Sequence, residues 1–469
     1  MLIVDAELYG GGRADVRCEG GRIAEVGLRL RPRPGEEVIE ANGGALLPGL
    51  HDHHIHLNSL AMERLSVQCG PPQVSTAEEL KATLRSAQPL DAEGWIRGSG
   101  YHESVAGLPD RHALDAFVSD RPLRIQHRSG KLWLLNSEAA RRLRLDQQPP
   151  LPGLERDVSG RATGHLYRLD QWLRRQLGQS APTALVQVSE RLAGFGVTSV
   201  TDASVANDAA TFAQMSELIA QGQMRQRVHL LGGLRLPAAT GERLTTGALK
   251  LLLDDDRLPM MTRLTARIAG AHRRGRPVAI HCVTRTELIY ALANVAAAGA
   301  FPGDRIEHAS VCPDDALPLM RELGMQVVIQ PAFLHARGDQ YVRDVPADEQ
   351  PLLYRAKAFL ANGIPVGGGT DAPYGPDDPW LAMHTAVHRY SLGGHRFAPE
   401  ERLSPEEALA LFAASTPGDQ PAVLAPGAVA DLCLLGLPWY EARERLVSDD
   451  VRMTLCAGKV IYRQDSVLS

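Results

Sequence analysis

Short runs of Val, Ile, Leu and Ala recur along the middle of the chain, each followed by a longer stretch whose apolar positions fall at helical spacing. That alternation is the pattern of βαβ units around a parallel sheet, whose strands are buried on both faces and read as continuous apolar runs. Eight such runs are predicted to end near His56, Asp202, Gly232, Asp254, Cys282, Ser310, Pro331 and Asp371, which is the number that closes a (β/α)8 TIM barrel. Helix starts punctuate the frame. Ser404-Pro405-Glu406-Glu407 places an N-cap Ser, a Pro at the first helical position and a Glu three residues on, and Thr76 with Glu79 repeats the capping box.

The two ends of the chain read differently. Ala14-Asp15-Val16-Arg17-Cys18 near the start and Ala430-Asp431-Leu432-Cys433 near the end alternate apolar and polar positions, the period of half-buried strands. Short strands do not persist alone in water. Residues 1–47 and 421–469 are therefore expected to pair into one small β-sandwich beside a barrel of residues 48–420. Residues 60–183 break the strand and helix alternation and carry turn clusters such as Pro150-Leu151-Pro152-Gly153. They read as an insertion after the first barrel strand, overhanging the active-site face.

With 469 residues, 44% of them hydrophobic and 22% charged, the chain can bury a large core. A net charge of -5, with no long basic block, argues against nucleic acid or an anionic membrane as the main partner. Six cysteines scattered in apolar contexts, without CxxC pairs, read as reduced core residues. No apolar stretch approaches the roughly 20 residues that span a bilayer, and Met1-Leu2-Ile3-Val4-Asp5 lacks the features of a signal peptide. The cytoplasm and a small-molecule substrate are the resulting expectations, with a homo-oligomer left open.

The candidate chemistry sits at the ends of the predicted strands. In His51-Asp52-His53-His54-Ile55-His56 the strand period puts Asp52, His54 and His56 on one face and His53 on the other. Two imidazoles one residue apart can grip a metal. Lys250, His281, His308 and Asp371 each close a later apolar run, so a parallel barrel would gather them on its functional face. Cys282 follows His281 directly, points to the opposite face and reads as packing. Asp52 reads equally as a residue orienting a ligand and as a strand-end cap, and His272, His384, His388 and His395 read as structural.

This set resembles the amidohydrolase superfamily, with its PGxxDxHxH run followed by Lys, His, His and Asp. Within it, Trp95-Ile96-Arg97-Gly98-Ser99-Gly100-Tyr101 and Leu134-Leu135-Asn136-Ser137-Glu138-Ala139 resemble the amidohydrolase-3 subgroup, whose members include N-substituted formamide deformylases. The resemblance implies two divalent metal ions, with zinc the best match to nitrogen and oxygen ligands. It also implies that Lys250 is carboxylated to a carbamate bridging the ions. One ion would take His54, His56, Lys250 and Asp371, and the other Lys250, His281 and His308. Asp371 would also be catalytic, shuttling a proton from water to the leaving nitrogen. The expected activity is hydrolysis of an amide-type C–N bond. A deaminase, a cyclic amide or ester hydrolase, and a non-catalytic barrel scaffold are the competing readings, since fold alone does not decide the bond.

The neighbours of the ligand set depart from the subgroup. Gly100-Tyr101-His102 stands where relatives carry Gly-Trp-Asp, Gly130-Lys131 where they carry Gly-His, and Val283-Thr284-Arg285 where they carry Gly-Asp-Arg. Tyr101, His102, Lys131, Gln330 and Tyr374 are the candidate substrate-binding residues on this reading, which points to a distinct leaving group.

Overall fold

The computed structural model describes residues 1–71, 73–91, 93–177 and 182–464. The chain divides into two compact units, one of Met1–His56 with Val186–Ser469 and one of Leu57–Leu185.

Eight parallel strands lie at the centre of the larger unit: β1 Leu50–Ile55, β2 Val197–Asp202, β3 Arg227–Gly232, β4 Leu244–Leu252, β5 Val278–Cys282, β6 Arg305–His308, β7 Gln326–Ile329 and β8 Val366–Gly368. Each pairs with its sequence neighbour in one sheet ordered from β1 to β8. The barrel predicted from the apolar runs is present. β2, β3 and β5 stop on the predicted residues, while β6 and β8 leave the ladder at His308 and Gly368, two and three residues early. The reason is local. His308 has φ +74° and Asp371 φ +55°, left-handed conformations that turn both side chains out of the strand alternation. Each costs about 1–3 kcal/mol, and such strain collects at functional sites.

The sheet is nearly closed. Where β8 returns to β1, the Asp371 N–H donates to the His54 carbonyl at 2.7 Å and the His56 N–H to the Ala372 carbonyl at 2.9 Å. Asp52 reinforces this seam by accepting from the Thr370 N–H at 3.0 Å, the Thr370 hydroxyl at 2.5 Å and the His54 N–H at 3.1 Å. Asp52 thus ties the two strand ends together, which settles its two readings in favour of backbone capping. Gly369 permits the approach, because a Cβ there would fall 2.6 Å from the His54 Cβ.

Both chain ends enter a second sheet of this unit, in which Ala45–Pro48 pairs antiparallel with Leu432–Leu435. Its apolar cluster draws Ile3, Val16, Ile23 and Leu46 from the start and Leu432, Met453 and Leu455 from the end. The segment before Leu432 fastens two turns of this sheet, since the Ala430 N–H donates to the Gly21 carbonyl and the Gly458 N–H to the Ala430 carbonyl. This sheet and its core are the small β domain that the sequence pattern drew from both termini.

The Leu57–Leu185 unit has an ordered six-stranded sheet of its own. Val67–Gln68, Ile96–Tyr101 and Leu123–His127 run parallel, and Leu132–Leu135, Ala162–Tyr167 and Leu154–Arg156 continue it antiparallel. Glycines interrupt two of its longer strands, Gly98 and Gly100 in Ile96–Tyr101 and Gly164 in Ala162–Tyr167, which is why the sequence shows only broken alternation there. The predicted capping boxes at Thr76–Glu79 and Ser404–Glu407 are both formed.

Candidate metal centre

The ends of β1, β4, β5 and β6 and the loop after β8 bring His54, His56, Lys250, His281, His308 and Asp371 into one region. His54 Nε2 lies 3.2 Å and His56 Nε2 3.0 Å from the same Asp371 oxygen, Oδ1. The His308 ring is 4.9 Å from that of His54 and 4.5 Å from that of His281, centroid to centroid. One ligand atom from each of His54, His308 and Asp371 lies within 4.8 Å of the other two. His308 therefore stands nearly as close to His54 as to His281.

Three of the four imidazoles are oriented from behind. The His54 Nδ1–H donates to Glu307 Oε2 at 2.7 Å, the His308 Nδ1–H donates to Gln330 Oε1 at 2.6 Å, and His56 Nδ1 hydrogen-bonds Ser204 Oγ at 2.8 Å. With Nδ1 engaged, each Nε2 is the atom left to face the centre, the arrangement by which an outer partner aims a metal-ligating histidine. Gln330 is fully buried and acts here through His308. The Tyr374 ring packs edge-on against His56 at 5.5 Å.

Glu307 is the residue that sequence reasoning missed. It is fully buried, accepts from Arg305 at 2.9 Å as well as from His54, and lies 3.5 Å from Lys250 Nζ. Burial would raise its pKa, but Arg305, Lys250 and His54 hold it well below the usual carboxylate range. A signal was available: Arg305 and Glu307 alternate with apolar Ile306 in a strand buried on both faces, where unpaired charge is not tolerated. Replacing Glu307 with Gln keeps an acceptor for His54 but removes the charge. Metal affinity is then expected to fall about 10–100-fold, measured by competition with a chromophoric chelator; an unchanged affinity would remove Glu307 from this role.

The electrostatics favour positive charge at the centre. Burial acts to raise Asp371, yet His54, His56 and His308 keep its carboxyl well below the ordinary value, so it is ionised. Burial and the Lys250 ammonium act to lower His54, and Glu307 and Asp371 overcome them, so its pKa is raised. Burial lowers His308 to about 3 and, with His308 and Lys250 beside it, brings His281 well below its ordinary value. Both are therefore neutral near pH 7, the form that ligates metal. Burial, with Arg305 adding to it, lowers Lys250 against the pull of Glu307 and Asp371. Two buried polar atoms, Asp371 Oδ1 and Lys250 Nζ, make no well-directed hydrogen bond. Such atoms are costly to leave unmatched, and a cation held by the surrounding nitrogens and oxygens would satisfy Asp371 Oδ1. The donor set fits a divalent transition metal.

A family model described as "Amidohydrolase family" matches residues 37–462. The chain belongs to the amidohydrolase family. This amidohydrolase is 25% identical to the N-substituted formamide deformylase of Arthrobacter pascens over 90% of this chain and 89% of that one. Its fold is that of an uncharacterized metal-dependent hydrolase from Pyrococcus horikoshii, with a TM-score of 0.74 at 22% identity, covering 93% and 97% of the two chains. It also matches the atrazine chlorohydrolase TrzN from Arthrobacter aurescens complexed with zinc, with a TM-score of 0.56 at 15% identity over 100% and 96%.

The remaining candidates of this amidohydrolase lie in the Leu57–Leu185 unit. Tyr101 is fully buried in that unit's apolar cluster, and its hydroxyl donates to the Gly107 carbonyl at 2.8 Å. Both ends of its side chain thus support the fold there. His102 caps the helix Glu103–Ala106 by accepting from the Ser104 N–H. Lys131 is exposed. Cys282 is buried and directs its Sγ toward the Glu287 carbonyl, as strand parity requires. His53 stacks on His51 at 4.0 Å.

Proposed function

We propose that this protein is a metal-dependent hydrolase that cleaves an amide-type C–N bond of a small molecule. The observation that carries the reading is the convergence of His54 Nε2 and His56 Nε2 on the orphaned Asp371 Oδ1, with His308 beside them. His54, His56, His308 and Asp371, with Lys250 and His281, are the residues that would hold the metal, and zinc suits the set. A bound divalent cation lowers the pKa of water from 15.7 to about 7 and polarises a carbonyl.

The chain's own groups then have defined tasks. Asp371, kept ionised by the three histidines, accepts the proton of the attacking water and returns it to the departing nitrogen. Glu307, Gln330 and Ser204 hold the ring orientations. Lys250, its amine favoured by burial, would be suited to add carbon dioxide with loss of one proton to solvent, giving a carbamate whose oxygens could ligate metal. A one-ion centre with unmodified Lys250 is the second reading, favoured by the closeness of His308 to His54 and Asp371.

Metal removal tests the reading. Chelation is expected to abolish hydrolysis of a panel of formamides, N-acyl amino acids, cyclic amides and simple esters, and zinc to restore it. Elemental analysis then separates the two stoichiometries. Activity that survives complete metal removal would exclude the proposal, and the panel member turned over decides among amide, ring and ester cleavage.

A further inference from the structure

The larger unit also contains a partly buried guanidinium without a counter-charge. Arg337 sits on the helix Ala332–Asp344 that follows β7. Its cationic head lies over the Phe333 ring at 4.4 Å and donates to the Tyr374 carbonyl. It is only partly exposed, and among the described residues no carboxylate pairs with it. Partly buried arginines ordinarily find an anion, because removing a charge from water is costly when nothing compensates it. Arg337 has instead the Phe333 ring face, the Tyr374 carbonyl and the Tyr341 hydroxyl, uncharged partners that fix its plane without neutralising it.

Its position relates it to the metal centre. Tyr374 touches both, giving its carbonyl to Arg337 and its ring to His56, while its N–H donates to the Asp371 carbonyl at 2.8 Å. The Tyr341 hydroxyl lies 3.2 Å from that of Tyr354 and is within reach of both the Arg337 charge and the Asp371 charge. Phe333, Tyr341, Tyr354 and Tyr374 belong to one apolar cluster. The aromatic side chains of this cluster therefore link Tyr374, beside His56, to the Arg337 guanidinium.

We infer that Arg337 receives a carboxylate carried by the substrate, so that the molecule cleaved is an amide with an acidic group, such as an N-acyl amino acid. The inference rests on the hydrolase reading above. Stacking on Phe333 fixes the plane of the guanidinium in advance, and a planar fork of N–H donors matches a carboxylate two bonds at a time. A neutral amide would leave that charge unmatched, which makes the cation a device for selection.

The test compares N-formylphenylalanine with N-(2-phenylethyl)formamide, which lacks only the carboxylate, on the zinc-loaded full chain. In Arg337→Met the ratio of kcat/KM for the acid to that for the neutral amide is expected to fall about tenfold or more, through KM. Arg337→Lys keeps the charge but not the fork and should fall less; it also decides the matter if the Met variant does not fold. An unchanged ratio in both variants would overturn the inference while leaving the hydrolase reading intact. If the wild type cleaves neither compound, that reading fails for formamides, and calorimetry with N-formylphenylalanine still decides. Weaker binding to Arg337→Met than to wild type supports the carboxylate site, and equal binding, or none to wild type, overturns it.

Discussion

Asp371→Asn is expected to lower kcat/KM by about 10³-fold or more, the upper part of the range for losing a general acid–base group. The carboxylate does two things that an amide cannot. It balances the His54 and His56 nitrogens, which both face Oδ1, and it accepts a proton, which requires the ionised form that those histidines and His308 maintain. The backbone N–H of residue 371, which fastens the barrel seam to the His54 carbonyl, is unchanged by the substitution, so the fold should survive. Steady-state rates at saturating zinc, with a thermal melt as control, measure the effect. A variant retaining a tenth of the wild-type activity would exclude Asp371 as the proton carrier.

Lys250→Ala should remove metal and activity together. Lys250 is buried against Glu307, which remains balanced by Arg305 and His54 when the lysine is gone, so the loss should appear in metal content rather than as unfolding. If a carbamate bridges two ions, elemental analysis should fall from about two ions per chain to one or none. Short carboxylic acids such as propionate should then restore part of the activity by supplying the missing oxygens. In the wild type, ¹³C-labelled bicarbonate should produce a carbamate resonance. Full activity in Lys250→Ala would refute the bridge, and one ion per chain with no carbamate signal would establish the one-ion centre.

Much of the frame was readable because parallel strands buried on both faces need unbroken apolar runs, and the runs ending at Asp202, Gly232 and Cys282 end where the ladder ends. That His54, His56, Lys250, His281, His308 and Asp371 would meet in one region was readable for the same reason, since polar residues that close apolar runs have few places to go. Strand parity succeeded for Cys282 but would have failed for His308. Arg305 and Glu307 share the inward face of β6, and only the left-handed turn at His308 brings its ring to the same side. No period predicts that turn. Arg337 was silent because a lone arginine carries no pattern; only the fold sets its guanidinium over the Phe333 ring and against the Tyr374 carbonyl. Tyr101 shows the opposite limit, a residue singled out by comparison of motifs whose hydroxyl and ring are both spent inside its own unit.

The seam between β1 and β8 bears on how the protein comes into being. The groups that would hold the metal are contributed by residues from His54 to Asp371, and the terminal sheet needs strands from both extremities. A chain emerging from the ribosome therefore cannot assemble the centre until most of its length has been made. The centre thus cannot precede synthesis through Asp371, so a product truncated before that residue should be inert rather than indiscriminately active.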